Sequence, residues 1–167
     1  MKKNILYIFV LVFMGCTHNY DDGYLCRFLY FPISSNEDCF WVEVEDNHKM
    51  KVTHGDLNWD FLKGIVLGKE IEPNRGIAWE KIKAVDSTIV NTEDYMQLEE
   101  LATEVSKRKS VNNFLVSISN DGQGIVLFIK DKYYYVELGD YNDKSINDLY
   151  RKLKDISPIP IRSSAHP

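Results

Sequence analysis

Alternating apolar and polar positions mark a strand in the first third of the chain. Apolar side chains alternate with one tryptophan and two glutamates in the order Phe40, Trp41, Val42, Glu43, Val44 and Glu45. A period of two with one apolar face is typical of a half-buried strand. The aromatic and aliphatic run 24–33 predicts a strand before it, and residues 49–53 predict a third strand after a turn at Asp46-Asn47.

Three short apolar runs in the second half of the chain predict a three-stranded meander over residues 114–119, 125–129 and 133–138. Asn120-Asp121-Gly122 separates the first two, and aspartate and glycine tolerate the positive φ that a tight hairpin turn needs. Lys130-Asp131-Lys132 separates the last two. The run 125–129 is apolar without interruption, which predicts a central strand covered on both faces.

Two segments have the pattern of amphipathic helices. The first, over residues 93–109, follows a capping residue at Asn91 or Thr92. It has acids in its first turn and bases in its last, so its charges complement the helix dipole. The second is a closing helix over residues 145–155, which starts at Ser145 in a sequence that resembles a capping box.

Two further segments are harder to assign. Residues 57–67 form a short apolar run that fits either a strand or a buried helix. Residues 77–89 predict a strand that leads into a short helical turn at 79–84. Together these elements predict a single α+β domain over residues 24–156, with an antiparallel sheet packed by helices on one side. An extended tail over residues 157–167 follows it.

The order of strands, meander and closing helix also resembles bacterial pleckstrin-homology-like domains. In those domains a strand with the spacing of Ile77, Trp79 and Ile82 precedes such a meander. The resemblance implies a barrel, but the helix at 93–109 interrupts the pattern. The barrel is therefore the minor alternative to a sheet packed by helices.

Residues 1–15 have the character of a targeting signal. Lys2 and Lys3 precede the apolar run 5–14, which is about half the roughly 20 residues that a membrane-spanning helix requires. A small residue then stands directly before a cysteine. The stretch Phe13-Met14-Gly15-Cys16 resembles the lipobox of bacterial lipoproteins, in the looser form of Bacteroidota-like proteins, with phenylalanine where leucine is usual.

This resemblance implies that residues 1–15 are removed and that Cys16 carries lipid, with an acyl chain such as palmitate on the new amino terminus. Two or more acyl chains anchor a protein stably to a membrane. Residues 16–23 then form a tether in the cell envelope. Thr17, in place of an aspartate after the cysteine, favours the outer membrane. Asp21-Asp22 resembles a surface-export signal, which leaves the periplasmic face and the cell surface both open.

Composition narrows the partners of the domain. The chain is 44% hydrophobic, enough to build a core, and its formal net charge is −5. The excess of acids is concentrated between residues 20 and 60. Nucleic-acid binding is not expected, since it requires a basic surface. The acidic segment either attracts a basic protein partner or is an ordinary solvated face.

The cysteines and histidines give little sign of catalysis. Once Cys16 carries lipid, Cys26 and Cys39 predict either one disulfide or two buried free thiols. We recognise no catalytic or nucleotide-binding motif in the sequence, and His48 and His54 do not have the spacing of a zinc site. We therefore expect no cofactor and no metal, and we favour a protein without catalytic activity.

The sequence leaves function as a choice among hypotheses. If Phe40 faces the core, then Trp41, Glu43 and Glu45 face outward together, which is typical of an interface anchor. The alternative is that a helix covers Trp41. The favoured function is a non-catalytic binding or interaction lipoprotein, such as an immunity-type protein or an accessory subunit. A glycan-binding surface lipoprotein and an envelope hydrolase with an unrecognised site are the alternatives, and the oligomeric state stays open.

Overall fold

Six strands and three helices make up the part of the chain that the computed structural model describes: residues 23–67, 76–108, 123–130, 132–138 and 144–161. The strands are β1 (Tyr24–Pro32), β2 (Cys39–Glu45), β3 (Lys49–Leu57), β4 (Trp79–Ile89), β5 (Gln123–Ile129) and β6 (Lys132–Leu138). The helices are α1 (Trp59–Val66), α2 (Thr92–Ser106) and α3 (Lys144–Ile156). The strands form one antiparallel sheet in the order β4-β3-β2-β1-β5-β6, which confirms the α+β fold.

Strand β1 lies near the centre of this sheet, between β2 and β5. Leu29, for example, lies opposite Trp41 in β2 and opposite Val126 in β5. Strands β1, β2 and β3 each pair with the next strand along the chain, whereas β5 joins β1 after a long connection. The described strands form an open sheet with β4 and β6 at its edges. The barrel of the pleckstrin-homology-like alternative is not found among them.

Helices α2 and α3 cover one face of the sheet. The buried strand residues of this layer include Phe28, Tyr30, Phe40, Val42, Val44, Ile125, Leu127, Tyr134 and Val136. The helices contribute Tyr95, Leu98, Ala102, Val105, Ile146, Leu149 and Leu153. The Tyr134 hydroxyl donates a hydrogen bond to the Val105 carbonyl oxygen at 3.1 Å, which ties β6 to α2.

Helix α1 covers the opposite face. The buried residues of this second layer are Leu29, Phe31, Cys39, Trp41, Leu57, Leu62, Ile65, Val126, Phe128 and Tyr135. The expectation that the helices pack on one side of the sheet is therefore wrong. The reason is that β1 and β5 are apolar at consecutive positions, and strands of that composition need cover on both faces.

Asparagine side chains mark the starts of α1 and α2. The Asn91 side chain accepts a hydrogen bond from the Asp94 amide at 2.9 Å, which confirms Asn91 as the cap of α2. The Asn58 side chain accepts from two backbone amides of the first turn of α1, each at 3.1 Å. This cap stops β3 and starts a helix, so the uncertain run 57–67 is largely helical.

Helix α3 and the residues after it close the α2 layer. The helix begins at Lys144, so Ser145 is part of it, and the expectation that Ser145 caps it is wrong. Lys152 and Asp94 form an ion pair of 2.5 Å that joins α3 to α2. Ile161 is 2% exposed and packs into the same layer. The folded domain therefore extends to at least residue 161, into the segment predicted as a tail.

The first half of β4 is a strand where the sequence predicted a helical turn. Strand β4 is extended from Trp79 to Ile89, so the helical turn expected at 79–84 is wrong. Two irregularities in its pairing with β3 account for the difference, and the geometry of the candidate site depends on them.

The predicted meander is described only in part. Strands β5 and β6 form the expected hairpin, with Ile125 opposite Val136. The strand predicted at 114–119, the signal at 1–15 and most of the tether at 16–23 lie outside the described residues. None of the helices described here has the length and apolar character needed to cross a membrane.

Candidate functional site

The residues predicted to bind a partner, Trp41, Glu43 and Glu45, lie on the face of β2 that α1 partly covers. Trp41 is 5% exposed and belongs to the buried α1 layer. Glu43 lies 3.6 Å from the Lys51 ammonium, and Glu45 accepts a hydrogen bond from the Asn47 side chain at 2.8 Å. Trp41 is therefore a core residue, as the helix-covered alternative expects, and it does not form an exposed anchor with the two glutamates.

Cys26 and Cys39 are free thiols in the two different layers. Cys26 lies opposite Val44, which is five positions along β2 from Cys39 and so roughly 16 Å away. A disulfide requires Cα atoms within about 7 Å of each other. The disulfide alternative is therefore wrong. Burial raises the pKa of each thiol to about 12, which keeps both protonated at neutral pH.

The predicted lipid site, Cys16, lies outside the described residues, so the anchor remains a prediction from the sequence. The described chain begins at Gly23, whose carbonyl oxygen accepts a hydrogen bond from the Asp46 amide at 3.0 Å. Tyr24 and Ile89 lie at the same end of the sheet. This is the end closest in sequence to the predicted tether.

The two histidines of this region pack against aromatic rings and do not converge. The His48 ring stacks on Tyr95 with centroids 3.9 Å apart, and the His54 ring stacks on Phe40 at 4.4 Å. Within the described ranges, no group of three or more histidine, cysteine or acidic side chains is arranged to hold a metal ion. The two histidine rings therefore lie at separate aromatic contacts in this structure.

A cluster of polar, ionisable side chains joins β3 and β4 to the turn before β2. The Lys83 ammonium lies 2.9 Å from Asp38 and 2.6 Å from Asp56, and the His54 ring lies 3.1 Å from Asp38. Hydrogen bonds that the Lys83 ammonium donates to Asp56 and Asp38 raise the pKa of Lys83 above its usual range. The hydrogen bond that Asp38 accepts from Lys83 is likewise the main cause of the lowered pKa of Asp38. We refer to these four residues as the Lys83 cluster.

The Lys83 cluster does not have the arrangement of a hydrolase site. Cys39 is nearby, but it pairs with Gly55 on β3 whereas His54 pairs with Phe40, so the thiol and the imidazole belong to opposite faces of the sheet. The high pKa of the Cys39 thiol also works against a thiolate nucleophile. Through Lys83, the cluster ties β4 to Asp56 on β3 and to Asp38 in the turn before β2, which makes it a structural clamp on β4.

The outer edge of β4 is the most accessible apolar feature of the sheet. Ile82 and Val85 are each 54% exposed and Ile89 is 70% exposed. No described strand pairs with this edge, because β4 is the last strand of the sheet. Strand β4 is also eleven residues long, which is long for an edge strand.

Two β-bulges place these apolar side chains on one face. Glu80 and Lys83 have no partner residue in β3, so each is an extra residue in β4. As a result Ile82 lies opposite Gly55, and Val85 lies opposite Thr53. Gly55 and Thr53 are alternate residues of β3 and share a face, so Ile82 and Val85 share it too. Ile89, opposite Lys49, belongs to the same face.

Both bulge residues bind the connection between β1 and β2. Lys83 contacts Asp38, as described, and Glu80 accepts a hydrogen bond from the Asn36 side chain at 3.1 Å. These contacts hold the two extra residues toward the body of the domain. The bulges are therefore defined features of the fold.

The other exposed large apolar residues of the described chain stand apart from β4. Trp59 and Leu67 lie at the start of α1 and just after its end, and Met96 lies on the outer side of α2. Single exposed apolar residues are normal on protein surfaces. The β4 group differs because three such residues share one strand face beside a backbone edge that no strand in the described ranges pairs with.

Comparison with known proteins does not assign this chain to a family. A scan against protein-family models and a search of the curated proteins both gave no match.

The β4 edge was not among the sites expected from the sequence. Its signal was present as Trp79, Ile82, Val85 and Ile89, but the spacing of three and four residues is typical of a helix.

Proposed function

We propose that the protein is a lipid-anchored lipoprotein of the cell envelope, with the outer membrane favoured, whose domain is a non-catalytic protein-binding module. The observation that carries this proposal is the outer edge of β4, where Ile82, Val85 and Ile89 flank a strand backbone that none of the described strands pairs with. An extended partner segment can add to such an edge: main-chain hydrogen bonds then supply affinity and side chains supply specificity.

The charges along β4 bear on the chemistry of the partner. Lys81 and Asp86 are both exposed and have opposite signs, and no ion pair described for this structure includes either of them. A partner strand that matches this edge carries both signs. The edge therefore favours a partner of mixed charge over the purely basic partner that the acidic N-terminal segment suggested.

Photo-crosslinking in cells tests the binding surface. A photoreactive amino acid at Val85 should give protein crosslinks in envelope membranes, because this side chain lies on the proposed surface. The same amino acid at Glu104, exposed on α2, serves as the matched control. Crosslinks from Glu104 but none from Val85 would contradict the proposal.

A separate experiment tests the anchor. Replacing Cys16 with alanine removes the only side chain that the lipobox resemblance assigns to lipid. We expect the variant to lose its incorporated radiolabelled fatty acid and to leave the membrane fraction or remain unprocessed, while wild type stays membrane-bound. Cys26→Ala is the control, since that buried thiol should not affect lipid attachment. Full lipid labelling of the Cys16 variant would overturn the assignment.

A further inference from the structure

We infer that the strand bound by β4 is β4 of a second copy of this chain, paired antiparallel to form a symmetric dimer. This inference rests on the proposed function of the β4 edge and names its partner. It is drawn from the order of charges and apolar residues over positions 81–86, which span the bulge at Lys83, and from the face on which each of them lies.

One register makes this segment complementary to itself. It places Lys81 of one copy opposite Asp86 of the other, and Ile82 opposite Val85, with Lys83 and Ala84 at the centre. Opposite charges and apolar pairs stabilise antiparallel strands when they lie directly across from each other. Because a symmetric interface repeats each contact, both pairs occur twice.

The bulge at Lys83 is what permits this register. In an antiparallel pair, residues opposite each other lie on the same face of the sheet. Ile82 and Val85 are three residues apart and would point to opposite faces in a regular strand. The extra residue brings them to one face, opposite Gly55 and Thr53 of β3.

The charged pair meets the same condition on the other face. Lys81 lies opposite Asp56, and Asp86 lies opposite Val52. Asp56 and Val52 are an even number of positions apart on β3, so Lys81 and Asp86 share a face. The register therefore matches faces and charges from residue 81 to residue 86, and the second bulge, at Glu80, ends the matched stretch.

The lysine at the bulge of β4 contacts its own domain and does not protect the outer edge of the strand. Lysines and bulges commonly prevent edge-to-edge pairing. Lys83, however, is bound to Asp38 and Asp56 of its own chain, which holds its charge against the body of the domain. Lys81 is the lysine of β4 outside this cluster, and Asp86 of the second copy has the sign that it needs.

A charge-exchange experiment tests the register on the full-length protein in membranes. Two differently tagged copies should co-purify, and in copies that all carry Lys81→Asp or all carry Asp86→Lys the recovered dimer should fall about tenfold, because two attractive pairs become repulsive. Mixing a Lys81→Asp copy with an Asp86→Lys copy should restore co-purification, since every pair is again opposite in charge. Lys130→Asp, at the β5–β6 turn, is the control and should change nothing.

Engineered cysteines test the same register by geometry. A copy with Ile82→Cys and a copy with Val85→Cys should form a disulfide with each other under mild oxidation. Each copy alone should not, because Val85 is offset from its own counterpart by about three residues, or 10 Å. The native thiols of Cys26 and Cys39 are buried and should not interfere.

The outcomes separate this inference from the proposed function. Restored co-purification of the mixed charge variants, together with the mixed disulfide, supports the dimer. If wild-type copies do not associate, or if the mixture does not recover, the dimer is overturned. Crosslinks from Val85 to a different protein would overturn the dimer and leave the proposed function standing. A complete lack of Val85 crosslinks would overturn both.

Discussion

The two edges of the sheet occupy equivalent places in the strand order but differ in cover. In β6, Tyr134 and Val136 are buried against the helices and Tyr135 is buried in the α1 layer. In β4, by contrast, Ile82 and Val85 are more than half exposed. An edge strand is therefore not exposed simply because it is an edge. Exposure depends on what packs against its two faces.

The C-terminal end of α2 covers β6 through hydrogen bonds and has no counterpart at β4 among the described residues. The Tyr134 hydroxyl binds the carbonyl oxygen of Val105, and the Lys132 ammonium binds those of Ser106 and Arg108. A cation is favourable there because the C-terminal end of a helix carries partial negative charge. Ile82 and Val85 of β4, by contrast, belong to neither of the two buried layers that the described helices cover. One edge is thus part of the core, and the other is available to a partner.

The largest effect that tests this contrast is expected at Tyr134. Tyr134→Ala should lower the free energy of unfolding by about 3–5 kcal/mol, because it leaves a cavity between β6 and α2. Tyr134→Phe should cost only about 1 kcal/mol, since it keeps the ring and loses the hydrogen bond to Val105. Urea unfolding followed by fluorescence measures both. Equal losses for the two variants would contradict a buried β6 edge.

Glycine substitutions beside the two edges should have the next largest effect. In Gly124→Ala, on β5, the new Cβ would lie 2.4 Å from the buried Phe31 ring. In Gly55→Ala, on β3, it would lie 2.3 Å from the Lys81 carbonyl oxygen of β4. We expect losses of about 1–3 kcal/mol, larger for Gly124 because Phe31 is enclosed whereas β4 can move outward.

Calorimetric unfolding of the two alanine variants would check that order. A larger loss for Gly55→Ala would show that β4 is held as firmly as the covered half of the sheet. Gly55→Ala should also weaken β4 pairing between copies, because it displaces the bulged segment.

A smaller effect is expected from the Lys83 cluster, and it depends on pH. The pKa of Asp38 is lowered in the folded state, so its contribution is present above its unfolded pKa of about 4 and is lost as pH falls through the lower folded value. Asp38 is largely exposed, so solvent screening limits the contribution to a few tenths of a kcal/mol. Between pH 6 and pH 2, the free energy of unfolding, measured from unfolding curves, should fall less steeply with decreasing pH for Lys83→Met than for wild type. We call this dependence the acid slope.

The control for that experiment is Lys107→Met, which removes an exposed ion pair at the C-terminal end of α2. Its acid slope should resemble that of wild type more closely than the slope of Lys83→Met does. High salt should reduce the difference between Lys83→Met and wild type, since exposed pairs are screened. A difference that grows with salt would argue against an electrostatic clamp on β4.

The smallest effect on stability is expected for Val85→Ser. An exposed substitution of this kind usually changes the free energy of unfolding by less than about 0.5 kcal/mol. If the β4 edge binds a partner, the same variant should still weaken crosslinking from neighbouring positions on β4. A stability loss as large as that of Tyr134→Ala would show that Val85 belongs to the core.

Regular periodicity explains which parts of the fold were predictable from sequence. Strand β2 alternates strictly, and α2 has an acidic start capped by Asn91, so both appeared at nearly their observed bounds. The sequence also placed Trp41 correctly on the face opposite Phe40. It could not say whether a helix covers that face, because the run that forms α1 fits a strand equally well.

Strand β4 shows why the candidate site was harder to predict. Trp79, Ile82, Val85 and Ile89 repeat at intervals of three and four, which is the period of a helix. In the structure the bulges at Glu80 and Lys83 insert extra residues, so positions three apart fall on one face of a strand. A bulge depends on contacts with distant parts of the chain, here Asn36 and Asp38, and local sequence does not reveal them.

The central position of β1 has a consequence for how the chain folds. Its two neighbours become available at very different times during synthesis, because β2 follows within one turn whereas Phe128 of β5 lies about one hundred residues after its partner Arg27. We expect the consecutive pairs from β1 to β4 to form early. One side of β1 is then left unpaired until β5 emerges. Pulse-labelled hydrogen exchange should then show protection in β2 and β3 before β5 and β6.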